Sequence, residues 1–314
     1  MSRFITVVAG LTLASAGALA QEPTTRPRQD IQGAAPGFDE RQPTLHVLLN
    51  LDTSYRFTGN LQDAPGDVGI FRTGGSVTIT SPVLERNRLS VTLGSEQSWY
   101  NFSPNAALIP GDPQPWSHIQ SYTLGGNFST QWSETLSSFV LGSINFAGEG
   151  GAAFGNGFTG GGGGGVVLKL AENFDLTAGV FVRSRLGNGV YVFPILGIEW
   201  QIDKQWKLSS ENQFGLYLSY QPSEQWRLSV GARYDFYEFR LENDNAVPSG
   251  IGSDARVPVT FGVDWTPMPN LTLQARVGAM VFEKLKLRDS GRNTLGWSDV
   301  DVGLFISGGL VLRF

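Results

Sequence analysis

The chain has 314 residues, no cysteine, 40 glycines, 16% charged residues and a formal net charge of -5. Without cysteine there is neither a disulfide framework nor a thiolate metal site, and so small a charge gives no reason to expect a nucleic-acid partner. Few charges, many glycines and a scarcity of helix-forming runs suit an exported all-β chain, long enough for one large barrel or two soluble domains.

In chain order, residues 1–20 place Arg3 before an apolar run that starts at Phe4, and end on Ala18-Leu19-Ala20 ahead of Gln21. That is the layout of a cleavable secretory signal, and the run is short for an uncleaved anchor. Residues 21–43 hold four prolines and many charges without periodicity, which predicts a flexible periplasmic leader. The remainder, 44–314, is read as one domain, and no stretch of it approaches the ~20 apolar residues a transmembrane helix needs.

From Leu45 the pattern has a period of two. Leu45, Val47, Leu49, Leu51, Tyr55 and Phe57 alternate with His46, Asn50, Asp52, Ser54 and Arg56. The same alternation recurs in Trp226, Leu228, Val230, Ala232 and Tyr234 against Arg227, Ser229, Gly231, Arg233 and Asp235, and again in Leu271, Leu273, Ala275, Val277 and Ala279. Period two means strands with one apolar and one polar face. Short polar links near 85–87, 133–135, 172–173, 203–205, 222–225 and 267–270 alternate with longer Gly-, Pro- and Asn-rich links over 59–69, 103–115, 148–160, 241–255 and 288–298.

These breaks predict about fourteen strands. They fall near 45–57, 75–82, 88–102, 118–131, 136–146, 161–170, 174–185, 190–202, 206–211, 214–221, 226–240, 257–265, 271–285 and 302–314. If 206–221 is irregular the count drops to about twelve.

Two features separate a membrane barrel from a soluble sandwich with the same alternation. Trp132, Trp200, Trp206, Trp226 and Trp265 lie within a few residues of the short links, where an amphipathic ring settles at a membrane-water boundary. The last stretch sets Val302, Leu304, Ile306, Gly308, Leu310 and Leu312 on one face and ends the chain on Phe314. In this the chain resembles bacterial outer-membrane β-barrels, whose closing strand ends in Phe. The resemblance covers 45–314 and implies an all-β, transmembrane up-and-down antiparallel barrel in the cell outer membrane. It also implies outer-membrane lipid as surroundings and the barrel-assembly machinery as a partner, with Phe314 as the assembly signal.

Chemistry-bearing motifs are few. Gly155-Asn156-Gly157-Phe158-Thr159-Gly160 matches a dinucleotide fingerprint but leads into a strand rather than a helix, so no cofactor is expected. His46 and His118 belong to opposite ends of the barrel and cannot share a site, which leaves only a local His118, Asp112 and Ser117 grouping for a hydrolase. Glu242, Asp244 and Asp254 lack an EF-hand spacing, so no metal is expected.

The inward faces carry nearly balanced charge, with Arg183, Glu199, Arg227, Arg233, Asp235, Asp264 and Arg276 as candidate lumen-lining residues. Inward glycines, Gly231 and Gly278 among them, argue for an open interior, while Phe181, Phe193 and Tyr217 argue for a filled one. The reading that follows is a porin-like channel for passive passage of small solutes and not an enzyme. A closed structural barrel with paired inward charges, or an outer-membrane hydrolase, is the alternative.

Overall fold

The computed structural model describes residues 45–314 apart from Pro113, Asn188, Asn212 and Gln213, so the expected signal and leader lie outside the described residues. The alternating segments form strands β1 (His46–Asn60), β2 (Asp67–Leu84), β3 (Asn87–Phe102), β4 (His118–Gln131), β5 (Leu136–Glu149), β6 (Phe158–Ala171), β7 (Phe174–Ser184) and β8 (Val190–Gln201). They continue as β9 (Trp206–Glu211), β10 (Gly215–Ser223), β11 (Trp226–Arg233), β12 (Asp235–Arg240), β13 (Ile251–Met268), β14 (Leu271–Arg288), β15 (Thr294–Asp299) and β16 (Gly303–Arg313).

Sequential strands pair antiparallel, and the sheet closes where β1 meets β16 through Leu51↔Leu310 and Asp52↔Gly309. The end of the chain joins this closure, since Val47 and Phe314 exchange backbone hydrogen bonds of 2.9 Å in both directions. β12 continues β11 in unbroken register against β13. β15 runs into β16 past Val300, whose N–H donates to the Glu283 carbonyl. With those two joins the sixteen segments make a closed wall of fourteen strands, the number expected from the sequence.

The external ends of the strands reach further than expected. β2 starts at Asp67, β13 at Ile251, β14 runs to Arg288, and β15 lies wholly within a connection read as loop. The alternation persists there, but its inward positions are charged (Arg72, Asp254, Arg256, Glu283) and its outward ones less greasy. A bulge at Val281, between the pairs Val257↔Phe282 and Pro258↔Met280, also reverses the phase of β14 midway.

Parity sorts the side chains. Leu51, Val77, Leu93, Leu124, Val140, Val180, Leu196, Val230, Phe261, Val277 and Leu304 are exposed on the outer surface. That is where a charge at the bilayer midplane would cost about 2–4 kcal/mol. The five tryptophans near the short links are likewise exposed at one rim, with Trp226 stacked on Trp265 and Trp206 against Tyr220. Trp99 and Trp297, with Tyr55, Phe57 and Phe71, make a second aromatic belt towards the other rim.

The inward glycines do not leave the interior empty. A Cβ on Gly231 would lie 2.4 Å from both the Leu216 carbonyl oxygen and the Tyr217 ring, and one on Gly278 would lie 2.7 Å from the Phe305 ring. The missing side chains let aromatic rings lie flat against the wall. Gly231→Val should therefore lower the unfolding midpoint of the lipid-reconstituted barrel, by about 1–3 kcal/mol in stability. Gly126→Val, on the outer face where the nearest atom is 3.8 Å away, should be close to neutral in the same denaturant titration.

Candidate transport site

The interior has three levels. Towards the short-link rim it is polar and part-exposed. Asp264, on β13, takes Arg227 of β11 (Nε, 2.9 Å) on one oxygen and Arg276 of β14 on the other, while Lys207 pairs with Glu199 across β8 and β9. Each pair joins neighbouring strands rather than opposite walls, so these groups coat the wall without spanning the space.

A buried belt of charge follows. Arg56 pairs with Glu283 at 2.8 Å, and Arg72 with Asp254 at 2.7 Å, where the Tyr100 hydroxyl also donates at 3.0 Å. Arg256 lies between Asp254 and Asp235, and Asp235 takes Arg233 at 3.0 Å as well. Glu96 accepts from the Tyr237 and Ser98 hydroxyls, both at 2.8 Å. The Arg72–Asp254 pair crosses the interior, from β2 to β13. Arg183 donates to the Thr159 hydroxyl of β6 at 2.8 Å. The seven lumen-lining candidates are thus split. Glu199, Arg227 and Arg276 belong to the part-exposed level, with Asp264 buried beneath its two arginines; Asp235 belongs to the belt, the part-exposed Arg233 borders it, and Arg183 belongs to the β6–β7 wall.

Above the belt the external end is filled. Residues 103–117 and 241–250 bring Ala106, Leu108, Trp116, Leu241 and Val247 against Ile70, Tyr100, Phe102, Phe239, Leu285 and Leu287. Trp116 has no exposed surface, and Tyr100, Phe102 and Phe239 meet it at ring-centroid distances of 5.1–5.8 Å. Glu149, at the end of β5, ties both segments down. One carboxylate oxygen accepts from the Ser117 backbone N–H (3.1 Å), the other from Glu242 N–H (3.1 Å) and Asn245 Nδ2 (3.2 Å).

One side of the wall is built differently. β8 pairs with β9 only through Glu199↔Ser209, Trp200↔Leu208 and Gln201↔Lys207. Just above, the Ile198 N–H is taken by the Ser210 hydroxyl at 2.9 Å. Beyond the short β9–β10 hairpin, β12 turns inward and reaches β5 through a parallel bridge, Arg240↔Gly148. The space this cuts off beside β6–β8 is packed by Phe139, Phe181, Phe193 and Ile195, with Tyr191 and Phe214 against them. Tyr191 also meets Phe236 of β12 edge-on at 6.2 Å. Here side chains hold the wall together where backbone ladders do so elsewhere.

Sequence reasoning missed Arg72, Glu283, Glu149 and Trp116, and it placed Asp254 in an external loop. For Arg72 the signal was the same parity carried a few residues further; for Glu283 parity pointed to the wrong face because of the bulge at Val281, and for Glu149 and Trp116 there was none. The His118 grouping is not assembled. His118 bonds Gln97 at 2.8 Å and stacks on Trp99, Asp112 accepts from the Gln114 N–H, and Ser117 donates its backbone N–H to Glu149.

A closed fourteen-strand wall with a greasy outer band, two aromatic belts and a polar interior is the fold of a bacterial outer-membrane β-barrel channel. Within that class the chain belongs to the family described as Domain of unknown function (DUF6268), whose model matches residues 138–296. Among solved structures it is similar to a deletion mutant of the TodX monoaromatic hydrocarbon channel, with 10% identity, TM-score 0.50 and coverage of 87% of this chain and 90% of that one. The Pseudomonas putida toluene transporter TodX matches at 11% identity and TM-score 0.49, with 96% of each chain covered. An outer membrane channel from Pseudomonas putida F1 matches at 10% identity and TM-score 0.48, covering 88% of this chain and 98% of that one. These neighbours are transport channels. No curated protein matches the sequence.

The belt makes one sharp prediction. Asp254→Ala strands Arg72 in a buried setting and should cost about 3–5 kcal/mol. The double variant Arg72→Met, Asp254→Leu should recover most of that loss in the same urea titration, because the Arg72 charge is gone and Arg256 keeps Asp235 at 3.4 Å.

Proposed function

We propose that the chain is a passive channel of the bacterial cell outer membrane for small solutes, held shut on the external side by its own loops. The observation that carries this reading is the contrast between the two ends of the interior: part-exposed charged residues at one, and a plug of two loop segments that the Glu149 carboxylate ties together at the other. The plug segments lie against the wall strands without being part of their ladder, so they can yield without breaking the barrel. A plug faced by Trp116, Phe102, Phe239 and Leu285 favours solutes that tolerate apolar surroundings. The monoaromatic compounds named for the TodX channel are of that class. Phe314, 68% exposed at the closing strand, supports the barrel-assembly machinery as partner in the cell.

A closed structural barrel is the second reading, favoured by the buried ion-pair belt beneath the plug. Planar-bilayer recordings separate the two. On the channel reading the wild type gives brief, small steps. Glu149→Ala or removal of residues 104–115 gives larger and longer ones, with the folded state checked by gel mobility before and after heating. If neither variant conducts while both are folded, the interior is sealed by the belt and the closed barrel is correct.

A further inference from the structure

The phase reversal at Val281 has a chemical result on the outer surface. Beyond it the outward-parity positions of β14 are Phe282, Lys284, Lys286 and Arg288; the two lysines are half-buried directly above the apolar band, and Arg288 is buried against Glu238. Cross-strand register puts them on one face with their neighbours. Lys284 lies opposite Asp299, Lys286 opposite Trp297, and Ser253 lies between Lys286 and Glu238. Two turns add to this face. Arg185 comes from the β7–β8 connection and Arg292 from the β14–β15 connection, its side chain lying against Gly187.

Carboxylates do not balance these five cations. Glu238 takes Arg288 at 2.6 Å and Arg185 at 3.4 Å, and Asp299 takes Lys284 at 3.2 Å. Asp289 is engaged in its own turn by Asn293, through two bonds of 2.8 Å. The positive surplus stands out on a chain whose net charge is -5. Burial first, then the nearby Arg185, pulls the Arg292 guanidinium below its ordinary range, with Glu238 opposing. The Nε–H groups of Arg185 and Arg288 are buried with no acceptor among the described residues.

The level of this patch narrows the ligand. Phe282 and Trp297, both outward and exposed, mark the upper edge of the apolar band, and Lys284 Nζ sits 3.8 Å from the centre of the Trp297 ring. Charge immediately above an aromatic belt meets headgroups, not acyl chains. Several N–H donors with a surplus of positive charge match a phosphate, which accepts from forked guanidinium groups and from point-charge ammonium groups alike. We infer that Lys286, Arg292 and Arg185, backed by the buried charge of Arg288, bind the phosphate of an acidic lipid in the external leaflet.

Native mass spectrometry of the intact barrel tests this, using mixed micelles that contain a bisphosphorylated glycolipid or the same lipid with its phosphates removed. The wild type should retain the phosphorylated lipid, and Lys286→Gln with Arg292→Gln should reduce retention about tenfold for the loss of charge-assisted bonds. Lys286→Gln alone, at a half-buried position, gives a smaller drop in the same direction and serves if the double variant fails to fold. Equal retention of the dephosphorylated lipid, or full retention by the folded variants, overturns the inference. Displacement of the lipid by millimolar inorganic phosphate would reassign the patch to a free anion and overturn the lipid as its source.

Discussion

Backbone hydrogen bonding is the constraint on which the architecture rests. Inside a hydrocarbon layer an unpaired N–H or C=O costs several kcal/mol, so a spanning sheet must have no open edge. The ladder between the first and last strands, β1 and β16, meets that demand, and the Val47–Phe314 exchange extends it. Once closure is fixed, side-chain parity does the rest: each strand shows one face to the surroundings and the other to the interior, and the aromatic belts follow wherever the strands leave the apolar band.

What fills the interior follows from different physics. Fourteen strands enclose more volume than wall side chains alone can pack, since about eight close on themselves. Here the excess is taken up in layers. Ion pairs fill the middle, where Arg56, Arg72, Arg256, Glu283 and Asp254 hold one another in buried surroundings. Aromatic and aliphatic groups fill the external end. Charges that are part-exposed in the lower level and buried in the belt play unequal roles. The first can exchange partners with water, whereas the second are locked by the cost of uncompensated burial.

The sequence showed the wall well because parity is a strict local code. Runs such as Trp226 to Asp235 or Leu271 to Ala279 put every outward residue where the structure has it. The code weakened where the strands rise beyond the apolar band. Around Arg72 and Asp254 inward charges and external turn residues read alike, so strand became loop, while the bulge at Val281 put Glu283 on the opposite face from the one its parity gave. The plug could not be read at all. Nothing local marks Trp116 as a core residue, and only the folded chain brings the end of β5 beside residues 117, 242 and 245 for Glu149 to collect. The inward glycines misled for a related reason: Gly231 signals an absent side chain but not the Tyr217 ring lying over it.

The inward turn of β12 makes the vessel narrow with height. At the level of the lower charged residues the circuit runs through all fourteen wall strands. Above the short β9–β10 hairpin a smaller ring closes from β5 directly to β12 and leaves β6, β7 and β8 outside it. Barrel diameter grows with strand number, so the molecule is a funnel with its mouth at the short-link rim and its neck at the external side. A neck of that calibre is small enough for two loop segments to stopper.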